Sequence, residues 1–292
     1  MRRALLVLVF LLAAAARADG PRLVLDSTYT WHDPWKGFGG FSGLVVEDGG
    51  ADFLTISDRG NWARGTLERN ADGRIEAAHL TDHGPILDLR GRPLRGRSFD
   101  AEGLTMDSRG RVYISFEGQD RIRRYDDLRE TAAAVPSHPD FRHLPVNLGL
   151  ESLAVAADGT LYAIPETPPA PGQPFPVYRF RGGQWDKPFR IPHRGDFNIS
   201  DAAIGPDGKL YVLEREFSWL GFRSRVRRFD FGPDGLDNET TLLASRLNQL
   251  DNMEGISVWA DPEGRIRVTL ISDDNFFALQ RTMFAEYILD EP

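Results

Sequence analysis

Apolar positions along the chain fall into short runs that come in pairs. At 98–117, SFDAEGLTMDSRGRVYISFE, two such runs flank the turn Asp107-Ser108-Arg109-Gly110. Glu102 sits where the first run starts and Glu117 where the second ends. The arrangement recurs as LGLESLAVAADGTLYAIPE at 148–166, NISDAAIGPDGKLYVLERE at 198–216 and NMEGISVWADPEGRIRVTLISDD at 252–274. A degenerate copy, GFSGLVVEDGGADFLTISDRG, occupies 40–60. The second runs are rich in Val, Ile, Leu and Tyr, which strands favour. Gly with Asp or Glu in the turns supplies the positive φ that hairpins need.

Hairpins repeating at about 40–50 residues predict a β-propeller with one four-stranded blade per repeat. RIRRYD, PVYRFRG and RVRRFDF read as third strands; GRIEAAHL, QWDKPFRI and ETTLLASRL read as outer strands. After the last hairpin only RTMFAEYIL remains, while RLVLDSTYTW at 22–31 has no partner. Placing that N-terminal strand on the last blade closes the ring and removes both edges. The expectation is an all-β, five-bladed propeller, or six-bladed if 59–100 holds another blade, forming a single domain over 19–292.

The first residues change the picture. MRRALLVLVFLLAAAARA has paired arginines, an apolar run over 4–16 and small residues ahead of Asp19, the pattern of a secretory leader at 1–18. That run is too short for ~30 Å of hydrocarbon. The mature chain is expected to be periplasmic or secreted, without membrane contact. A formal charge of −8 argues against a nucleic-acid partner, and the lack of cysteine excludes thiolate chemistry.

A hairpin returns its second strand to the end where its first began, and the first strand of each blade lines the channel. Glu102 and Glu117 should therefore meet at one mouth, joined by Glu151 with Glu166, Asp201 with Glu214, and Glu254 with Asp273 and Asp274. The degenerate copy offers Ser42 and Asp58. Crowded carboxylates repel unless a cation neutralises them, and a flexible all-oxygen ring suits Ca²⁺ better than Zn²⁺. A solvated carboxylate rim, serving backbone amides alone, is the alternative. Arg59, Arg215 and Arg281 stand beside the acids; they could hold phosphate oxygens or pair with carboxylates between blades. There is no Gly-x-Ser-x-Gly elbow, P-loop or dinucleotide fingerprint, and the six histidines lack metal-ligand spacing.

The blocks SFDAEGLTMDSRGRVYIS, NLGLESLAVAADGTLYA, ISDAAIGPDGKLYVLERE, DNMEGISVW and ISDDNFFALQRTMF resemble, in order, those of the bacterial phytase-like family. That family is named for an esterase-like activity of phytase. The resemblance spans 38–289 and implies a propeller that hydrolyses phosphoesters or related esters. EFSWLGFRSR, after Glu214-Arg215, departs from the pattern and is expected to shape a local pocket. On this reading Ca²⁺ is held by Glu102, Glu151, Glu254, Asp273 and Asp274. Glu117, Glu166 or Glu214 serves as general base, and Arg59, Arg215 and Arg281 bind a small anionic ester. A non-catalytic ligand- or protein-binding propeller and a Ca²⁺-dependent lactone hydrolase remain alternatives.

Overall fold

The computed structural model describes residues 20–96, 99–145 and 149–291. The expected leader lies outside the described residues. The strands form five four-stranded antiparallel sheets. Blade one is β2 (Phe41–Glu47), β3 (Asp52–Ser57), β4 (Asn61–Arg69) and β5 (Ile75–Pro85). Blade two is β6 (Ala101–Met106), β7 (Val112–Phe116), β8 (Arg121–Tyr125) and β9 (Ala133–Ala134). Blade three is β10 (Leu150–Val155), β11 (Leu161–Pro165), β12 (Phe175–Arg181) and β13 (Gln184–Ile191). Blade four is β14 (Asn198–Ile204), β15 (Leu210–Ser218), β16 (Gly221–Phe231) and β17 (Leu236–Ala244). Blade five is β18 (Met253–Ala260), β19 (Ile266–Ser272), β20 (Met283–Asp290) and the N-terminal β1 (Arg22–Thr30).

The ring is five-bladed. Its 59–100 region holds β4, β5 and a turn bridged at Leu87 and Pro93, with no further sheet among the described residues. Closure comes from β1 lying antiparallel on β20, with Arg22 opposite Asp290 and Thr30 opposite Met283. Just beyond β1, Trp31 is fully buried, and its backbone N–H donates to the Thr282 carbonyl at 2.9 Å. Its ring stacks on Phe41 and meets Phe53 edge-on, which locks the seam between blades five and one. Polar clamps reinforce that seam. Buried Glu286 accepts from Arg69 at 2.6 and 2.8 Å and from Arg267 at 2.9 Å.

Away from the mouth the hairpins turn on aspartates. Asp107 accepts from the backbone N–H of Arg109 and of Arg111, both at 3.0 Å, and Gly110 takes φ +76°, which a side chain would strain. The aromatic stretch after Arg215 extends β15 and β16 into a projecting hairpin on which Trp219 is 87% exposed. The β15–β16 ladder runs on through Phe217 opposite Phe222 to Ser218 opposite Gly221, leaving Trp219 and Leu220 at the turn.

Candidate active site

Every inner strand breaks its ladder at the same place. The register skips between Phe41 and Gly43, Ala101 and Leu104, Leu150 and Ser152, Ile199 and Asp201, and Met253 and Gly255. The side chains stepped over include Ser42, Glu102, Glu151, Ser200 and Glu254. A bulge of this kind ends pairing and re-aims the extra residue. The residue that follows lies where neighbouring backbones converge. A Cβ on Gly103 would lie 2.7 Å from the Glu151 carbonyl, and one on Gly255 would lie 2.9 Å from Gly43 backbone. Small residues there let the inner strands close on the axis, so the bulge side chains gather at one mouth.

A second set comes from the ends of the second strands. The backbone N–H of Asp58 donates to Gly40, of Glu117 to Asp100, of Glu166 to Gly149 and of Asp273 to Asn252, all at 2.9–3.0 Å. In blade four the matching rung pairs Asn198 with Arg215. Four blades thus place a carboxylate on the rim and one places a guanidinium.

Together these acids are strongly perturbed. Burial first, then the charges of Glu151, Asp100, Glu254 and Glu117, push Glu102 well above the usual carboxylate range. Burial, Glu166, Glu254 and Glu117 do the same to Glu151. Burial lifts Asp58 to about 6, with Asp100 adding, and Asp273 to about 8, with Glu254 adding. It lifts Glu117 to about 7 despite a 3.0 Å bond from the Gly149 N–H, and Glu254 to about 7 despite Arg215. Arg215 bonds Glu254 and lies 3.4 Å from Glu166, and it donates to the Asn252 side chain at 2.8 Å. The half-buried guanidinium of Arg215 is thus set against this collection of acids. Asp100, Glu102 and Glu117 present carboxylate oxygens within 4.8 Å of one another. This all-oxygen, charge-rich donor set fits a hard divalent cation such as Ca²⁺.

Glu102, Glu117, Glu151, Glu166, Glu254 and Asp273 are brought together, with Arg215 among them. Asp274 adjoins them, its carboxylate accepting from the Gly40 and Phe276 N–H groups at 3.1 Å, where it fixes the loop after β19. Glu214 is not brought there. Its rung faces Ile199, and its fully buried carboxylate is held by Arg227 and, at 2.6 Å, by Arg225. Arg59 is exposed at the rim with its guanidinium 3.2 Å from the Phe276 ring centre. Arg281 is also exposed, its Nε 3.7 Å from Asp251 and outside the acidic set. Asp100 was missed. It precedes β6 in a polar run, and only the return of Glu117 to its carbonyl marks it as part of the mouth.

The family model for the phytase-like group, described as esterase-like activity of phytase, matches residues 36–276. The chain belongs to the phytase-like family. Among solved structures this phytase-like propeller resembles a gluconolactonase from Xanthomonas campestris, at 14% identity and TM-score 0.51, covering 92% of this chain and 95% of that one. It also resembles a glucose dehydrogenase at 14% identity and TM-score 0.49, covering 90% and 99%. A protein of unknown function from Dyadobacter fermentans matches at 11% identity and TM-score 0.47, covering 93% and 88%. At 14% identity the likeness to the Xanthomonas protein bears on the fold alone. No curated protein sequence matches the chain significantly.

Proposed function

We propose that this phytase-like propeller is an exported, metal-assisted hydrolase of small anionic esters, phosphoesters foremost, working at the acidic mouth. The observation that carries the reading is the cluster of Asp100, Glu102 and Glu117, with oxygens within 4.8 Å, inside a larger ring of acids. Asp100 and Glu102 would hold a divalent cation beside Glu117, and Glu151, Glu254 and Asp273 would complete its surroundings. A cation bound there supplies charge neutralisation and Lewis acidity toward the ester oxygen.

The chain's own groups do the rest. Glu117, pushed up to about 7, exchanges a proton near neutrality, which suits a general base positioned beside the cluster. Glu166 is the second candidate, steadied by Arg215. Arg215 is set among these acids and meets two of them, so its first duty is to offset Glu254 and Glu166. Exposed Arg59 is better placed to meet an arriving anion. The leader expected at 1–18 would carry the chain across the inner membrane.

The test is turnover. Mature protein, stripped with chelator, is assayed on phosphate monoesters, carboxyl esters and lactones with and without Ca²⁺. The expected result is Ca²⁺-dependent phosphoester cleavage that Glu117→Gln removes. Turnover of lactones alone, or tight ligand binding without turnover of any ester, rejects this reading for the lactonase or the binding module.

A further inference from the structure

Seven of the ten large apolar side chains exposed among the described residues stand on three neighbouring segments. The β15–β16 hairpin carries Phe217, Trp219 and Leu220, the 245–252 connection carries Leu247, and the 273–282 connection carries Phe276, Phe277 and Leu279. An exposed apolar surface gathered in this way marks an interaction site. Each segment is rooted in the acidic mouth. Arg215 leads into the projecting end of the hairpin. Asn252 ends the second segment, and its side chain donates to Glu254 at 2.8 Å. Asp273 begins the third.

The three segments are also tied to one another. The Asn248 side chain donates to the Leu220 carbonyl at 2.8 Å and accepts from the Phe222 N–H at 3.2 Å. The Asn248 N–H donates to the Phe222 carbonyl at 2.9 Å. Gly221, at φ +131°, makes room for this clamp, since a Cβ there would collide with the Asn248 side-chain oxygen. On the other side Asp251 accepts from the Arg281 N–H at 3.1 Å, and the Asp273 N–H donates to the Asn252 carbonyl at 2.9 Å. At the rim the Phe276 ring lies against the Arg59 guanidinium, so the apolar wall begins where the charged mouth ends. These bonds fix the wall without burying it.

We propose that the substrate of the mouth is an amphiphile, with its anionic ester head among the acids and their cation and an extended apolar body laid along Trp219, Leu220 and Leu279. The inference rests on the reading of the mouth as a site for anionic esters and names their class. The occupant follows from the placement of the wall. A second copy docked face to face through it would set one acidic mouth against another. A molecule already held at the mouth by its head meets the wall without that repulsion. A strand advances about 3.3 Å per residue, which puts Trp219 roughly 13 Å beyond Arg215. That span calls for a chain of several methylenes and not a compact body.

Calorimetry in saturating Ca²⁺ tests it with ethyl-, butyl-, hexyl- and octylphosphonate, non-hydrolysable heads on lengthening tails, each below its micelle concentration. Affinity should rise by about twofold per methylene on this open wall, since full burial of each is worth roughly fourfold. Trp219→Ser with Leu220→Ser should flatten that rise and leave ethylphosphonate binding unchanged. Leu279→Ser, on a separate segment, should lower it in part, which keeps the test open should the double variant fail to fold. Glu102→Gln should weaken every homologue alike. Ethylphosphonate binding without gain on lengthening overturns the proposal and leaves the reading of the mouth standing. A rise with length in a protein that turns over no ester supports the wall and rejects hydrolysis. Absence of binding at every length overturns the proposal. So does octylphosphonate binding indifferent to Glu102→Gln, which would place the tail away from the mouth. Self-association, or sedimentation with zwitterionic vesicles, that the Trp219 and Leu220 substitutions abolish would give the wall another occupant and overturn it as well.

Discussion

Arg215 of blade four donates to Glu254 of blade five, so its guanidinium spans the junction of two blades. It is the counter-charge of the mouth. Arg215→Ala leaves Glu254 and Glu166 buried without it, and breaking a buried pair costs about 3–5 kcal/mol. Denaturant unfolding of the stripped protein should show a loss of that order. Saturating Ca²⁺ should recover part of it, because the added cation replaces the missing charge. A stripped variant as stable as the wild type would mean that Arg215 carries no such burden.

The acids also set a pH dependence whose sign is opposite to the usual one for carboxylates. Asp58 is raised to about 6, Glu117 and Glu254 to about 7 and Asp273 to about 8. A raised folded-state value favours the protonated form in the fold. The contribution is complete below the unfolded carboxylate value of about 4 and is lost as pH climbs through the raised values. The melting temperature of stripped protein should therefore fall across the window from about 6 to 8, while Ca²⁺ affinity rises across it with proton release. A flat melting temperature there, with Ca²⁺ affinity independent of pH, would show the acids to be ordinary.

Glu166, just after β11, and Glu214, within β15 of the neighbouring blade, should behave in opposite ways. Glu214 is fully buried between Arg225 and Arg227, so Glu214→Gln should lower stability by about 3–5 kcal/mol and leave the Ca²⁺ response of the folded protein unchanged. Glu166→Gln should cost far less stability, because its partner Arg215 keeps Glu254, and should weaken the Ca²⁺ response. Thermal melts with and without Ca²⁺ separate the two. Equal effects of both substitutions on the Ca²⁺ response would dissolve the distinction.

The seam gives a fourth expectation. Trp31→Ala removes a fully buried ring from between Phe41 and Phe53, and a loss of that size costs about 3–5 kcal/mol. Equilibrium unfolding should register it. An unmoved midpoint would mean that the β1–β20 ladder closes the ring without help from the aromatic cluster.

Much of this was legible in the sequence, because a hairpin announces itself locally. Alternating apolar runs and Asp-Gly turns gave the blades, and two strands without partners gave the closure. β9 left no pattern, since a two-residue strand of alanines has no periodicity to read. The register of blade four was misleading for a sharper reason. Asp201 and Glu214 look like the copies of Glu102 and Glu117, yet the bulge places Ser200 and Arg215 at those positions. Strand side chains alternate, so a slip of one residue sends an acid to the opposite face. Asp201 shows what it does there instead. Its carboxylate accepts from the Ala202 and Ile256 N–H groups at 2.8 and 2.9 Å, joining blades four and five where other blades place Gly or Ser.

The pairing of Arg22 with Asp290 brings the start of β1 and the end of β20 side by side. Facing residues of adjacent strands lie about 5 Å apart, so a linker of a few residues could join these two ends. New ends could then be opened between β13 and β14, at 192–197. In such a circular permutant blade five becomes covalently continuous, and the break moves from within a sheet to the space between two sheets. The ring would no longer be shut by a ladder of hydrogen bonds but by side-chain packing between whole blades.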